Sequence, residues 1–311
     1  MHANNPRILT YRDLLSAQDI HLDSFLNYLN QQPIHKRRKL LNINTRSKIK
    51  PYPHFIYKYL PLAEDKHKKF LRDYLVESKL WLSSPNSFND PFDMKCRYIF
   101  EGKPQEKRKH LNTRFKLYDP DLPEDQRERI ISHSLTNDQF LAETLENIYK
   151  NQINENGVCC FSEDTKSILM WAHYGSSHKG ISLQFQICKD ISIFTQASAV
   201  TYSHEYPTIN YLKDNLSNAI AGTMWRKSKN WEYEKERRII HPIESNCYLQ
   251  FNPSALTALI LGCKLESDSE EIIKSLLRER KQKNYPPLRI FRATQDNKEY
   301  KIRIKRISNF S

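Results

Sequence analysis

Short stretches in which apolar residues alternate with polar ones recur along the chain and predict β-strands. These stretches are rich in aromatic and β-branched residues, which suit a pleated sheet, and turn-forming residues such as Pro85 bound them. We expect strands at 53–60, 79–85, 157–163, 180–185, 229–240 and 256–265, and a hairpin within 287–307.

Helical spacing of apolar residues fills much of the chain between these strands. Two segments that combine this spacing with acidic first turns predict a helical insertion over about 101–156. Because strands and helices are interleaved and some strands are expected to be antiparallel, the fold class is α+β with a mixed, largely antiparallel central sheet. Further helices are expected over 65–78, 164–175, 215–231 and 267–282.

Residues 1–50 differ from the rest of the chain. They combine one or two short amphipathic helices with the basic segment "HKRRKLLNINTRSKIKP". We therefore expect a basic N-terminal appendage at 1–50 and a single α+β domain at 51–311 that contains the helical insertion.

The segment "KNWEYEKERRII" (229–240) is dense in charged side chains but ends in β-branched residues. In a strand, Glu234, Glu236 and Arg238 share one face of the sheet, an unfavourable arrangement unless it has a use. One carboxylate could stabilise a cationic transition state while the other activates an acceptor, which makes both candidate catalytic residues. The alternative is a solvent-exposed edge strand with weak ion pairs.

The segment "WAHYGSSHKG" (171–180) is a second candidate site. His173 could act as an acid or base, and Tyr174 could stack against a ring or act as a base. A structural role, with Trp171 in the core and His173 bonded to a loop, is equally open. His173 and His178 lie five residues apart across Gly175, which is not the spacing of a helical metal pair.

The segment "NSFNDPFD" (86–93) is rich in turn-forming residues. Asn89 and Asp90 can bond to their own backbone, and Phe88 and Phe92 could anchor the loop to a core. Asp90 could instead hold the ribose of a ligand or orient a cation, and a divalent metal bound through Asp90 and Asp93 is a weaker alternative.

Charge is concentrated at the two ends of the chain. The net charge is +13, with 9 − 3 = +6 in residues 1–50 and 12 − 3 = +9 in residues 274–311, so the remainder carries 13 − 15 = −2. Basic termini suit an acidic partner such as nucleic acid, and solubilising termini are the alternative.

Several classes of protein are disfavoured. The chain has 6 Gly and no glycine-rich phosphate motif, which argues against Rossmann and P-loop folds. No apolar run approaches the length of a membrane helix, and the N-terminus does not resemble a signal peptide. Six cysteines without paired spacing indicate reduced thiols, so we expect a cytoplasmic protein with no membrane contact.

Four segments together resemble a widespread bacterial domain family of unknown function. They are "LWLSSPNSFNDPFD", "CCFSEDTKSILMWAHYGSSHKGISLQF", "VTYSHEYP" and "KSKNWEYEKERRII", and the resemblance covers residues 57 to about 262. The resemblance implies a family, but no activity.

The order of the segments is also similar to that of the ADP-ribosyltransferase fold. Lys58 would stand at that fold's basic first-strand position, Ser84 at its hydroxyl position, and Glu234–Glu236 at its catalytic strand. Two departures are the lysine, where the fold has Arg or His, and the FNDPFD segment, which has no counterpart. The resemblance implies NAD as cofactor. The expected cofactor-binding residues are Lys58, Tyr59, Ser84, Asn89, Asp90, Ser162, Trp171, Tyr174, His178, Lys179 and Arg238.

Three functional hypotheses follow. The first is an NAD-dependent ADP-ribosyltransferase or NAD glycohydrolase that acts on nucleic acid or protein, as a toxin or phage-defence effector. The second is a nucleic-acid binding or cleaving module that uses the basic termini. The third is a non-catalytic interaction domain in which the shared segments only specify the fold.

Overall fold

The computed structural model describes residues 8–9, 28–44, 52–242 and 244–310. Most of the segment interpreted as an N-terminal appendage, 1–50, therefore lies outside the described residues. The chain divides into two compact units. Unit 1 comprises Met1–Ser84, Gly157–Val200 and Asn230–Ser311, and unit 2 comprises Pro85–Asn156 and Thr201–Lys229.

Strands and helices are numbered in chain order. The strands are β1 Ile8–Leu9, β2 Phe55–Leu60, β3 Lys79–Leu82, β4 Arg97–Ile99, β5 Gly157–Ser162, β6 Ile181–Gln186, β7 Ser198–Ala199, β8 Thr201–Ser203, β9 Thr208–Asn210, β10 Arg226–Ser228, β11 Glu236–His241, β12 Cys247–Gln250, β13 Leu256–Leu261, β14 Arg289–Gln295 and β15 Ile302–Arg306. The α-helices are α1 Ile34–Asn44, α2 Asp65–Arg72, α3 Pro104–Tyr118, α4 Glu124–Thr136, α5 Asp138–Asn154, α6 Ile168–His173, α7 Ile191–Phe194, α8 Leu216–Thr223 and α9 Ser267–Gln282.

Unit 1 is built on a sheet whose described strands run in the order β15-β14-β13-β6-β2-β5-β11-β7. Neighbouring strands are antiparallel except for the parallel pair β13–β14, so the predicted mixed, largely antiparallel sheet is confirmed. A smaller sheet in the same unit has the order β1-β12-β3.

The main core of unit 1 lies on one face of the large sheet, which we call the core face. Ile56, Leu183 and Leu259 project from it and are fully buried. Ile273 and Leu276 of α9 pack against the same cluster, which fits the apolar stripe that predicted this helix. Burial of each such side chain contributes roughly 1.5–3 kcal/mol, so this face supplies most of the stability of the unit.

A second, smaller cluster covers the opposite face, which we call the site face. Trp171 is fully buried there, and its ring meets Tyr59 edge-on at 5.1 Å between centroids. Ile260 and Ile302 belong to the same cluster. The short helix α6 is therefore held against the sheet by one large aromatic side chain.

Unit 2 is mainly helical, with α3, α4, α5 and α8 beside the parallel strand pairs β4–β9 and β8–β10. Leu111, Ile131 and Leu145 are buried side chains of three successive helices. Helices are thus present where the helical insertion was predicted. The segment 201–229 clusters with them.

The segment 85–156 of unit 2 leaves unit 1 and returns to it at neighbouring points of unit 1. Ser83 and Val158 form an antiparallel bridge. The Ser83 amide donates to the Val158 carbonyl at 2.9 Å, and the Val158 amide donates to the Ser83 carbonyl at 2.8 Å. The two ends of the segment 85–156 are therefore held together within the sheet region of unit 1.

Several predicted elements are shorter in the structure, and three of them are about half the predicted length. The strand predicted over 229–240 is a 3₁₀ helix at Lys229–Glu234, and β11 begins only at Glu236. The helix predicted over 215–231 ends at Thr223, and the helix predicted over 164–175 spans only Ile168–His173. No helix in the described ranges 28–44, 52–242 and 244–310 is both long and apolar enough to cross a bilayer.

Candidate functional site

Strand β11 carries two buried ion pairs, one on each face of the sheet. On the site face, Glu236 and Arg238 stand two residues apart and form a bidentate pair. Arg238 Nε donates to Glu236 Oε1 at 2.7 Å, and Nη2 donates to Oε2 at 3.0 Å. Arg238 is 0% exposed and Glu236 5% exposed, so each charge is the close counter-ion of the other.

On the core face, Arg237 is buried in a different set of contacts. Its Nε donates to Glu163 Oε1 at 2.7 Å, and its Nη1 donates to the Ala197 carbonyl at 2.9 Å. Its guanidinium also lies 5.5 Å from the centre of the Tyr52 ring. The charged run is therefore not a solvated edge strand, because the adjacent residues Arg237 and Arg238 are buried on opposite faces, each paired with a carboxylate.

Glu234 does not share the strand with Glu236. Lys235 between them has φ of 46°, in the left-handed region, and this turns the chain from the 3₁₀ helix into β11. Glu234 is 3% exposed, and Tyr174 Oη donates to its Oε1 at 2.7 Å. Ser162 Oγ donates to the Glu234 carbonyl at 2.6 Å, which holds the end of the 3₁₀ helix against β5.

Tyr174 belongs to a group of four rings that contact one another, which we call the aromatic cluster: His173, Tyr174, Trp231 and Tyr233. The His173 ring lies 6.1 Å from Trp231 and 6.4 Å from Tyr233, and those two rings are 5.9 Å apart. His173 is exposed, while the other three rings are partly exposed. The cluster joins the end of α6 to the 3₁₀ helix, and its rings offer flat, apolar surfaces on which a planar ring could stack.

Lys58 lies on the other side of the sheet from Glu236 and Arg238. Lys58 pairs with the core residue Leu183, and its Nζ donates to the Cys160 carbonyl at 3.0 Å and lies 5.9 Å from the centre of the Phe161 ring. Phe161 belongs to the core-face cluster. Glu236 pairs with Ser162, and Ser162 pairs with Tyr57, the residue before Lys58. Because adjacent residues of a strand project to opposite faces, the predicted cofactor-binding residue Lys58 projects to the face opposite Glu236.

Tyr59, Ser162 and Trp171 lie on the site face or beside it, but their polar atoms are engaged in structural bonds. Tyr59 Oη donates to the Asp164 carbonyl at 2.9 Å, and Trp171 Nε1 donates to the Thr165 carbonyl at 2.9 Å. Ser162 Oγ, besides its bond to Glu234, accepts from the Asp164 amide at 3.0 Å. These residues position the site rather than present free groups to a ligand.

Part of this region matches a known protein family. Residues 170–239 match the family model described as "Protein of unknown function (DUF2971)". The chain resembles DUF2971 there. Neither the comparison with curated proteins nor that with solved structures gives a match. The expected likeness to an uncharacterised family is confirmed over this segment, whereas no comparison supports the resemblance to ADP-ribosyltransferases.

The DUF2971 match contains all four rings of the aromatic cluster and both Glu234 and Glu236. Glu163, which pairs with Arg237, and the FNDPFD segment lie outside it. The matched segment also contributes residues to both units, since it includes 201–229. The match therefore does not correspond to one compact unit.

His178 and Lys179, within the DUF2971 match, contact residues 264 and 266. Lys179 forms an exposed ion pair with Glu266 at 2.7 Å, and the His178 carbonyl accepts from the Lys264 amide at 3.0 Å. Burial, assisted by the charge of Lys264, lowers the pKa of His178. At Ser84, the backbone amide is bonded to Asn246 Oδ1 at 3.4 Å.

Asn89 and Asp90 belong to unit 2, whereas Glu234 and Glu236 belong to unit 1. Asp90 Oδ1 accepts from the Phe92 amide at 2.9 Å, which is the Asx-type turn that was one interpretation of this segment. Asp93 forms a buried ion pair with Lys227 at 3.7 Å. Among the described residues, no group of three or more His, Cys, Asp or Glu side chains could hold a metal ion.

Cys160 was not expected at the site but adjoins it. It pairs with Arg238 across β5 and β11. Burial, and secondarily the carboxylate of Glu236, raises the pKa of Cys160 well above its ordinary value, so the thiol is neutral rather than a nucleophilic thiolate.

Glu163 and Tyr233 were also missed by sequence reasoning. Glu163 follows β5 directly and could have been proposed as the counter-ion of an arginine on β11, had the strand pairing been known. Tyr233 is part of the segment that was taken for a strand, where it would have been assigned to the face away from the carboxylates. Its place in the aromatic cluster depends on the 3₁₀ turn.

Proposed function

We propose that unit 1 cleaves the N-glycosidic bond between nicotinamide and ribose in NAD, with Glu234 as the carboxylate that acts on the ribosyl group. The observation that carries this proposal is the 2.7 Å bond to the buried Glu234 carboxylate from the hydroxyl of Tyr174, a member of the aromatic cluster. The predicted catalytic role of Glu236 is reassigned, because its two oxygens are engaged by Arg238.

The chemistry requires few groups. The C1′–N bond breaks with its electron pair leaving on nicotinamide, which is released neutral because the bound ring was a pyridinium cation. The positive charge that develops on the ribose is then stabilised by a nearby carboxylate. Water, or a hydroxyl or amine of a nucleic acid or protein acceptor, attacks C1′ and releases one proton.

The residues available match these requirements. Glu234 supplies the negative charge, and Tyr174 fixes the orientation of that carboxylate. The rings of Trp231 and Tyr233 offer surfaces for stacking against nicotinamide. His173 is exposed at the end of α6 and could take up the proton of the attacking group.

The experiment compares Glu234→Gln with Glu232→Gln. Both residues lie on the same 3₁₀ helix, but Glu232 is exposed and Glu234 is buried. Nicotinamide release from NAD is followed by chromatography, and NAD binding by calorimetry. We expect Glu234→Gln to lower the cleavage rate by about 10²–10³-fold while Glu232→Gln leaves it unchanged.

Two outcomes would refute the proposal. The first is that folded protein neither binds nor cleaves NAD at millimolar concentration. The second is that the protein cleaves NAD and Glu234→Gln retains the full rate. A thermal unfolding curve of each variant establishes that the compared samples are folded.

A second candidate function rests on the C-terminal hairpin β14–β15. Tyr300 at its turn is 102% exposed, and Lys305 and Arg306 are exposed farther along β15. Exposed cations with an aromatic ring fit the backbone and bases of a single-stranded nucleic acid. Of the basic N-terminal segment 35–51, which was expected to contribute similarly, residues 35–44 belong to α1, and residues 45–51 lie outside the described residues.

This candidate is tested by the dependence of binding on salt concentration. If the hairpin binds phosphates, Lys305→Gln with Arg306→Gln should reduce the slope of log K against log salt by about 2, since each phosphate contact contributes about 0.9. Tyr300→Ala should weaken binding without changing the slope. Binding that does not respond to salt, or no binding, would remove this candidate.

A further inference from the structure

A cavity of about 750 Å³ lies within unit 2, among helices α3, α4, α5 and α8. This volume falls in the range of about 300–1,000 Å³ that is typical of small-molecule sites. Two of its apolar side chains, Tyr118 and Ile148, are largely exposed at its edge. Its apolar lining includes Leu111, Phe115, Phe140, Leu141, Leu145 and Ile148.

Two basic side chains of α3 point into this apolar space. Arg114 lies with its guanidinium carbon 4.3 Å from the centre of the Tyr118 ring and 5.9 Å from that of Tyr211. The His110 ring meets Tyr211 edge-on at 4.9 Å. Both side chains line the cavity and are enclosed by aromatic surface rather than by carboxylates.

Each of these two side chains keeps a buried nitrogen without a hydrogen-bond partner in the described part of the chain: Arg114 Nε and His110 Nε2. A buried polar group left unpaired costs about 1–3 kcal/mol, so such groups are rare unless something else satisfies them. An oxygen acceptor in the cavity would satisfy the Arg114 N–H.

The acidic side chains of the lining are at its rim. Asp119 and Asp214 are exposed residues, and Asp214 Oδ2 already accepts from the Asn210 amide at 2.6 Å. The cavity therefore combines an apolar body, a cationic group inside, and acids that face solvent. This distribution complements a molecule with an apolar body and one anionic end.

We propose that this cavity binds a small carboxylic acid whose carboxylate accepts from Arg114 and whose aliphatic or aromatic body fills the apolar space between α3 and α5. The site belongs to unit 2 and does not depend on NAD cleavage in unit 1. Burial disfavours the charge of Arg114, but its hydrogen bond with Tyr211 helps to raise the pKa above the ordinary value, so the guanidinium stays charged.

The test uses calorimetry on the full chain with octanoate, 4-phenylbutyrate and uncharged 1-octanol. We expect at least one of the acids to bind and octanol to bind more weakly than octanoate. A higher affinity for one acid identifies the body as aliphatic or aromatic. Arg114→Gln should weaken acid binding about tenfold or more, as expected for a charge-assisted hydrogen bond, whereas Lys116→Gln, an exposed cation on the same helix, should not.

A second variant reduces the volume of the cavity without altering its charge. Thr144 lines the space from α5 and is partly exposed, so Thr144→Phe should fill part of it and weaken binding while Arg114 is kept. The proposal is overturned if neither acid binds, if octanol binds as tightly as octanoate, or if folded Arg114→Gln binds the acids as the unmodified protein does. Circular dichroism establishes that both variants are folded.

Discussion

Replacing Glu236 with Gln should test whether the Glu236–Arg238 pair is structural. The substitution keeps the shape of the side chain but removes the counter-ion of an arginine that is 0% exposed and bonded twice, at 2.7 and 3.0 Å. Leaving a buried charge uncompensated typically costs about 3–5 kcal/mol. That is a large part of the roughly 5–15 kcal/mol that stabilises a domain.

The effect is measurable by urea unfolding followed by tryptophan fluorescence, in which buried Trp171 reports on unit 1. With an m-value of about 3 kcal/mol/M, a loss of 3 kcal/mol lowers the midpoint by about 1 M. The matched control is Glu266→Gln, which removes the exposed pair with Lys179 and should cost less than about 1 kcal/mol.

A double replacement tests whether the loss of stability comes from the unpaired charge of Arg238. Glu236→Gln combined with Arg238→Met removes both charges, and we expect it to be less destabilised than Glu236→Gln alone, because an apolar replacement of a buried pair is often tolerated. If Glu236→Gln shifts the midpoint no more than Glu266→Gln does, Arg238 does not depend on Glu236, and the argument that assigns the catalytic role to Glu234 fails.

Further predictions concern two glycines and a buried acid. Gly180→Ala places a Cβ 2.4 Å from the Leu60 carbonyl oxygen and should destabilise unit 1, whereas Gly222→Ala in α8 meets no atom within 4 Å and should stabilise by about 0.5–1 kcal/mol; thermal unfolding compares them. Burial raises the pKa of Asp190, opposed by its bond from the Asn252 amide at 2.7 Å. Because the folded state then holds the proton more tightly than the unfolded state, whose pKa is about 3.9, the contribution of Asp190 to stability should increase as the pH falls from neutral through the folded-state pKa. Asp190→Asn should reduce that pH dependence in urea unfolding at pH 7 and pH 5.

The glycine prediction and the Asp190 prediction each have an outcome that would contradict them. Equal melting temperatures for Gly180→Ala and Gly222→Ala would show that the close approach at Gly180 relaxes without cost. For the acid, the same change in urea midpoint between pH 7 and pH 5 in Asp190→Asn and the unmodified protein would show that this carboxyl group does not contribute.

The strands and helices of the fold were largely predictable, because apolar periodicity records local burial. The six residues of β13 are all buried, as a pattern that is apolar except at Thr257 indicates, and α9 has the predicted bounds 267–282. The order of strands in the sheet was not predictable, since it depends on pairings between distant segments that leave no local pattern.

The candidate site was predicted in part, and the errors have local causes. Glu234 and Glu236 appeared to share a strand because Lys235 adopts a left-handed conformation without being glycine, so the break in the strand has no signal in the sequence. Lys58 was placed with the carboxylates because Tyr57 and Tyr59 on either side can lie on an apolar or a polar face. The pattern therefore could not decide which way the lysine points.

The bridge between Ser83 and Val158 makes the segment 85–156 separable in principle. Its two ends are joined by two reciprocal backbone hydrogen bonds, so the segment is a long connection between the antiparallel ends of β3 and β5. A turn of a few residues could replace it without stretching β3 or β5. Related chains could therefore vary this segment together with 201–229, which pairs with it through β4–β9, while the large sheet of unit 1 stays intact.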